Sequence, residues 1–121
     1  MIKFRFQDLE IWNMAIEIAD ELIAISDSLD QRNYSRFAEQ LRAAALSVSN
    51  NIAEGSGSES NKEFRYFLNI ARRSAFENAN ILIILERREI ITKDRLNELL
   101  QKIDHLTRKI TKFKNSLAIK K

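Results

Sequence analysis

Apolar residues recur along the chain at intervals of three and four positions, the spacing that places side chains on one face of an α-helix. This pattern predicts four helices, over about residues 9–29, 35–54, 61–88 and 93–117. The segments between them are short and polar, so consecutive helices have to run antiparallel. The sequence therefore predicts a single all-α domain over residues 1–121, folded as an antiparallel up-down four-helix bundle.

Local signals mark the ends of these helices. Gly55 fits the left-handed position that commonly ends a helix, and it opens the one flexible break in the chain. Ser60 and Glu63 have the spacing of a capping box at the start of the third helix, and Thr92 is suited to cap the fourth.

The first and third helices carry more apolar residues than one core stripe requires. On the first helix we assign Trp12, Ile16 and Ile23 to the core, and on the third helix Ile70 and Ile81 lie away from it. A contiguous apolar patch usually marks a partner, which predicts a homo-oligomer. Its predicted interface residues are Ile11, Met14, Ile18, Ile25, Tyr66, Phe76, Ile83 and Ile84. The alternative is that these two helices are simply more buried than the others.

Composition excludes several kinds of chemistry. The chain has no cysteine, which excludes disulfides, thiolate metal sites and cysteine nucleophiles, and its one histidine, His105, cannot form a site with two imidazoles within one chain. The sequence contains neither a phosphate-binding glycine-rich loop nor a serine elbow. We therefore predict no catalytic, cofactor-binding or metal-binding residue, and interpret His105 as a solvated helix residue. The chain is interpreted as non-enzymatic.

The scarcity of turn residues supports a helical fold. No proline and only 2 glycines are present, whereas a sheet-rich domain of this length needs many turns. No apolar run reaches the length of a signal peptide or a membrane span, so a soluble, cytoplasmic protein is expected.

Charge divides unevenly along the chain. Residues 1–60 hold five basic and ten acidic side chains, and residues 61–121 hold fifteen basic and seven acidic. This asymmetry indicates either a basic surface for a polyanion or acidic and basic helices that attract each other. The predicted nucleic-acid-binding residues lie on the fourth helix: Lys102, Arg108, Lys109, Lys112 and Lys114, with Lys120 and Lys121 extending the charge. No aromatic residues interleave with them, so the alternative is an ordinary solvated lysine face.

Polar residues also line one side of the second helix beside its core: Gln40, Ser47, Asn51 and Glu54. They are interpreted either as a row that contacts a ligand or nucleic acid, or as hydrogen-bonding groups between helices, with Glu54 meeting a basic residue of the third helix.

Several stretches together resemble one protein family. They are Phe6-Gln7-Asp8-Leu9, Gln40-Leu41-Arg42-Ala43-Ala44, Ser49-Asn50-Asn51-Ile52-Ala53-Glu54-Gly55 and Glu63-Phe64 with Phe67-Leu68. The chain resembles the bacterial 23S rRNA-intervening-sequence protein family, also called the four helix bundle protein family, over roughly residues 4–117. The resemblance implies an up-down bundle and a homopentameric ring. A related branch, the accessory proteins of diversity-generating retroelements, binds nucleic acid and a reverse transcriptase. Arg73, where the family usually has glycine, and a net charge of only +3 depart from the pattern.

The leading hypothesis is a homo-oligomeric scaffold, pentameric by the resemblance, that binds RNA or another nucleic acid through the basic face of the fourth helix and uses no cofactor. The rival is a protein-interaction module without a nucleic-acid role, in which the acidic first helix docks a basic partner.

Overall fold

A computed structural model describes residues 1–119 and contains four long helices, preceded by a short 3-10 helix at Arg5–Asp8. The helices are α1, Glu10–Gln31; α2, Ser35–Ser56; α3, Asn61–Arg87; and α4, Lys93–Ser116. Each begins and ends within two residues of the predicted bounds, because the caps are encoded locally. Lys120 and Lys121 lie outside the described residues.

The four helices form an antiparallel bundle in which each helix packs against its neighbours in the sequence, and α4 returns to contact α1. The α2 helix packs most closely, through small buried residues such as Ala38, Ala44 and Ala45. The α1 and α4 helices pack least closely. Since α1 and α3 make no helix–helix contact within residues 1–119, they occupy diagonal corners.

The core lies along the axis of the bundle and consists mainly of leucine, isoleucine and alanine. Phe64, Leu82 and Leu106 are among the large side chains that are at most 1 % exposed. The prediction that Ile16 and Ile23 lie in the core is wrong, because both side chains are only half-buried. Ile81, which was placed away from the core, is buried.

The turns that follow α1 and α3 reach the left-handed conformation without glycine. After α1 the chain passes through Asn33 with φ 66°, and the Tyr34 amide donates to the Leu29 carbonyl at 2.8 Å. After α3, Glu89 has φ 60°, and the Ile90 amide donates to a carbonyl five residues earlier at 2.8 Å. Both closures are Schellman motifs with a non-glycine residue in the left-handed position.

The prediction for Gly55 is therefore wrong. Gly55 lies inside α2, neither glycine has a positive φ, and the helix continues to Ser56. Its purpose is close packing, because a Cβ at this position would lie 2.7 Å from Phe64 Cδ1 and 2.9 Å from Phe67 Cβ. The missing side chain lets the end of α2 approach the first turn of α3.

The predicted caps form in the structure. Ser60 Oγ accepts a hydrogen bond from the Glu63 amide at 3.1 Å, and Thr92 Oγ1 accepts one from the Arg95 amide at 3.1 Å. Each satisfies one of the amides that the first turn of a helix leaves without a partner. The hydrogen bonds described for Ser60 and Glu63 do not include the return bond of a full capping box.

Candidate nucleic-acid interface

The basic residues of α4 point in two directions. Lys102 and Lys109 face α1 together with Arg95, and we call these three the inner cations. Arg108, Lys112 and Lys114 make no contact with an α1 carboxylate within residues 1–119, and we call them the outer cations. The distinction matters because carboxylates of another helix already pair with the inner cations and, within residues 1–119, not with the outer cations.

The inner cations are held by carboxylates of α1. Lys102 Nζ lies 2.8 Å from Glu21 Oε2, and Arg95 Nη1 lies 3.2 Å from Glu21 Oε1. Nearer the chain termini, Lys109 Nζ lies 3.1 Å from Glu10 Oε1. Of the two interpretations that the charge asymmetry left open, attraction between an acidic and a basic helix therefore occurs within one protomer.

The environment of Glu21 stabilises its ionised form. The hydrogen bond that Lys102 donates lowers the pKa of the Glu21 carboxyl below its ordinary value, and Arg95 adds to this effect, while partial burial opposes it. The same hydrogen bond raises the pKa of Lys102. Both groups therefore stay charged over the physiological range, and the α1–α4 contact is electrostatic as well as apolar.

The loose packing of α1 against α4 leaves an open groove of about 730 Å³. We call it the α1–α4 groove. Met14 and Ile18 supply its apolar lining, and His105 lies on its α4 side. Glu17 and Asp20 also line it and form no ion pair in the described part of the chain. The groove thus combines an apolar surface with two carboxylates that no cation among residues 1–119 neutralises.

The outer cations are open to solvent in different degrees. Arg108 pairs with Asp104 of its own helix at 3.0 Å, with 79 % and 63 % of the two side chains exposed. Exposed pairs of this kind contribute little to stability, so Arg108 can exchange partners. Lys112 and Lys114 form no ion pair within residues 1–119. Arg65 of α3 donates to the Lys114 carbonyl at 2.6 Å, which brings a further guanidinium close to the C-terminal end of α4.

The structure divides the predicted interface residues into three groups. Ile11 and Ile18 are only 4 % and 7 % exposed, so their assignment to an interface is wrong: they pack into the core of the protomer. Half-buried positions are taken by Met14, Ile25 and Ile84. Exposed positions are taken by Tyr66, Phe76 and Ile83, at 64 %, 53 % and 40 %. The surplus apolar surface therefore lies on α3, with a smaller contribution from α1.

A mixed cationic and apolar surface on α3 was missed by the sequence reasoning. Arg65, Arg72, Phe76, Ile83 and Arg87 follow one another at spacings of seven, four, seven and four, which keeps them on one face, and we call them the α3 strip. The guanidinium carbon of Arg72 lies 4.7 Å from the centroid of the Phe76 ring. Its Nε is buried without a hydrogen-bond partner. The spacing is visible in the sequence, but only the apolar positions of the third helix were used to predict the interface, and the arginines beside them were not considered.

The polar row of α2 contains a hydrogen-bonded centre. Ser47 Oγ lies 2.7 Å from Ser74 Oγ of α3, and Asn51 Nδ2 donates to the Ser47 carbonyl at 2.8 Å. This supports the interpretation as hydrogen bonding between helices for Ser47, whereas Asn51 bonds only within α2. Gln40 and Glu54 are exposed, and no ion pair between Glu54 and α3 is found in residues 1–119.

Two further features of the described residues bear on function. No group of three or more metal-ligating side chains lies close enough together in residues 1–119 to hold a metal ion. None of the helices in that part of the chain combines the length and the hydrophobicity that crossing a membrane requires.

Comparisons with known proteins agree on the fold. A family model described as 23S rRNA-intervening sequence protein matches residues 7–112. The crystal structure of a protein with unknown function from the S23 ribosomal protein family of Bacteroides thetaiotaomicron is similar, with a TM-score of 0.83 and 20 % identity. That similarity covers 88 % of this chain and 99 % of the other chain, and it concerns the fold alone. No curated protein matches the sequence.

Proposed function

The chain belongs to the 23S rRNA-intervening sequence protein family, and from this membership we propose that it is a non-enzymatic, cytoplasmic scaffold that assembles from identical copies and binds RNA or another nucleic acid. Binding is centred on the outer cations Arg108, Lys112 and Lys114. The observation that supports this most directly is that these side chains keep their charge available, whereas α1 already balances the inner cations.

The chemistry of this surface determines how it binds. Arg108 and Lys112 are one helical turn apart and exposed, and Lys114 follows close by. The one aromatic residue between them, Phe113, packs against Phe64 and the core, so contacts are made with phosphates rather than with bases. Such binding releases counterions, depends steeply on salt and has little base preference. Lys102 and Lys109 contribute less, because a phosphate must compete with Glu21 and Glu10 for them.

Fluorescence anisotropy with a labelled single-stranded RNA tests this proposal. The variant R108E/K112E/K114E should bind at least tenfold more weakly than the wild type. Loss of three phosphate contacts should also flatten the dependence of log K on log salt by roughly 2. The substitutions leave the ion pairs between α1 and α4 in place, so circular dichroism should show an unchanged bundle.

A matched control separates a local site from net charge. R36E/R88E/K93E changes the net charge equally, and all three residues are exposed at the opposite end of the bundle. It should retain most of the affinity. If both variants lose the same RNA affinity, net charge rather than a local site explains the binding. If the wild type does not bind RNA at low salt, the proposed nucleic-acid role is wrong.

A second function, a protein-interaction module, is favoured by one specific observation. Glu17 and Asp20 line the α1–α4 groove, and neither forms an ion pair in the described part of the chain. A basic protein surface would satisfy them. Capture of partners from a lysate with and without nuclease distinguishes the two functions, since partners held through RNA are lost on nuclease treatment.

A further inference from the structure

We propose that the α3 strip of one copy docks into the α1–α4 groove of a second copy. The inference rests on the self-assembly proposed above and names the two surfaces that meet. Phe76 would contact the apolar lining of the groove at Met14, while Arg72 and Arg73 beside it would pair with Glu17 and Asp20.

The first support is charge complementarity. Six basic side chains on α3 and at its C-cap form no ion pair within the part of the chain that the structure describes. They are Lys62, Arg65, Arg72, Arg73, Arg87 and Arg88. The described lining of the groove has four carboxylates and two lysines. Two of the carboxylates are paired with those cations, which leaves Glu17 and Asp20. The two surfaces therefore have opposite charge. Ion pairs within residues 1–119 of the same protomer balance neither the arginines of the strip nor Glu17 and Asp20 of the groove.

The topology explains why the protomer cannot satisfy these charges itself. The α1 and α3 helices are diagonal in the bundle, and no Cα atom of one lies within 8 Å of a Cα atom of the other. Helices packed at 8–10 Å place diagonal axes about 14 Å apart, which exceeds the Debye length of about 8 Å at physiological salt. The acidic face of α1 can therefore reach the cations of α3 only on another molecule.

The second support is the composition of the α3 strip. Phe76 and Ile83 are 53 % and 40 % exposed at the centre of the strip, and arginines flank them. Aromatic and arginine side chains are enriched in the buried centres of protein interfaces. The guanidinium of Arg72 lies over the Phe76 ring and forms no ion pair within residues 1–119, so this cation and this aromatic ring form one continuous surface. An RNA-binding surface would not need the exposed isoleucine.

The two surfaces differ, so the contact is heterologous. Each copy then offers one α3 strip and one groove, and assembly continues until a ring closes. A ring predicts a finite mass that is an integer multiple of 14.1 kDa. An isologous dimer would instead bury the same surface twice.

Charge reversal on each surface tests the pairing by multi-angle light scattering of the full-length protein. The variants E17K/D20K and R72E/R73E break no ion pair of the protomer, because none of the four residues forms one in residues 1–119. Each variant should dissociate at concentrations at least tenfold above those for the wild type. Combining all four reversals in one chain should restore the wild-type mass, because each copy then offers an acidic strip and a basic groove.

Control variants carry the same charge changes on other surfaces. E39K/E59K matches the first and R36E/K93E matches the second, and all four residues are exposed. Both controls should keep the wild-type mass. If R72E/R73E fails to fold, Ile83→Asp tests the same strip at an exposed position and should also weaken assembly.

The outcomes separate this pairing from the assembly on which it rests. A monomeric wild type removes the assembly itself. An oligomeric wild type whose mass is unaffected by either reversal keeps the assembly but overturns the pairing. Dissociation of R72E/R73E alone would show an α3–α3 contact, and loss of RNA binding without dissociation would assign the strip to RNA. Both results contradict the proposal.

Discussion

Replacement of Gly55 by alanine tests the idea that this glycine serves packing rather than backbone conformation. Gly55 lies within α2 at an ordinary helical φ, so helix propensity alone predicts that alanine stabilises the protein by about 1 kcal/mol. The structure predicts instead that G55A lowers the free energy of unfolding. The added Cβ would lie 2.7 Å from Phe64 Cδ1 and 2.9 Å from Phe67 Cβ, and Phe64 is only 1 % exposed.

The magnitude follows from these two opposing effects. Overpacking a filled core costs about 1–3 kcal/mol. Because two aromatic residues have to move here, we take the upper part of that range, about 2–3 kcal/mol. After subtracting the propensity gain, G55A should lower the free energy of unfolding by about 1–2 kcal/mol, or Tm by roughly 4–8 °C for a domain of this size. Gly57 is the matched control, because its φ is −88° and the nearest atom to an added Cβ is 3.5 Å away. G57A should be neutral or stabilising by up to about 1 kcal/mol.

Urea unfolding followed by circular dichroism at 222 nm measures both variants. All samples need the same protein concentration, because assembly makes the apparent stability depend on concentration. A G55A protein as stable as the wild type would refute the packing argument. Equal destabilisation by G57A would show instead that the whole α2–α3 connection requires glycine.

Three further predictions concern single side chains. Since the hydrogen bond from Lys102 lowers the pKa of Glu21 below its ordinary 4.5, ionised Glu21 stabilises the fold above that pH and loses this effect as pH falls through the folded-state pKa. The urea midpoint of E21Q should therefore lie below that of the wild type at neutral pH and converge with it in acid, and a constant gap would contradict the linkage. E89G should raise Tm by the equivalent of roughly 0.5–1 kcal/mol, because Glu89 has φ 60°, and an unchanged Tm would argue against strain there. Asn78 is 1 % exposed with an unpartnered Oδ1, so N78L should stabilise by about 1 kcal/mol in urea unfolding, and a loss would reveal a partner for the amide.

The helices and their order were predictable because their signals are local. Periodicity located four segments, and the side chains of Ser60 and Thr92 form their expected first-turn hydrogen bonds. The left-handed turn positions were not found, since Asn33 and Glu89 resemble ordinary polar residues while Gly55 looks like a terminator. The two Schellman motifs depend on a left-handed backbone conformation that the residue types at Asn33 and Glu89 do not predict.

The inward face of α1 was harder to predict. Its apolar residues cover most of the helix circumference, so two different stripes fit the same spacing. The structure buries Ala15, Ala19 and Leu22 of the predicted stripe, and it places Ile11 and Ile18 in the core instead of Ile16 and Ile23. The pairing of Lys102 with Glu21 was likewise not predictable in detail, since it depends on how α4 registers against α1.

The two proposals are linked by the position of the groove beside α4. A docked α3 strip would cover the face of α4 that carries Lys102 and His105, which line the groove, and leave Arg108 and Lys112 outside it. Three outer cations bind phosphates weakly on one copy, but a ring repeats them at fixed spacing, and a long RNA that spans several copies gains from effective concentration. Assembly thus supplies the affinity that a net charge of only +3 per chain does not. The acidic groove that lowers the net charge of the chain is, on this argument, what allows its cations to act together.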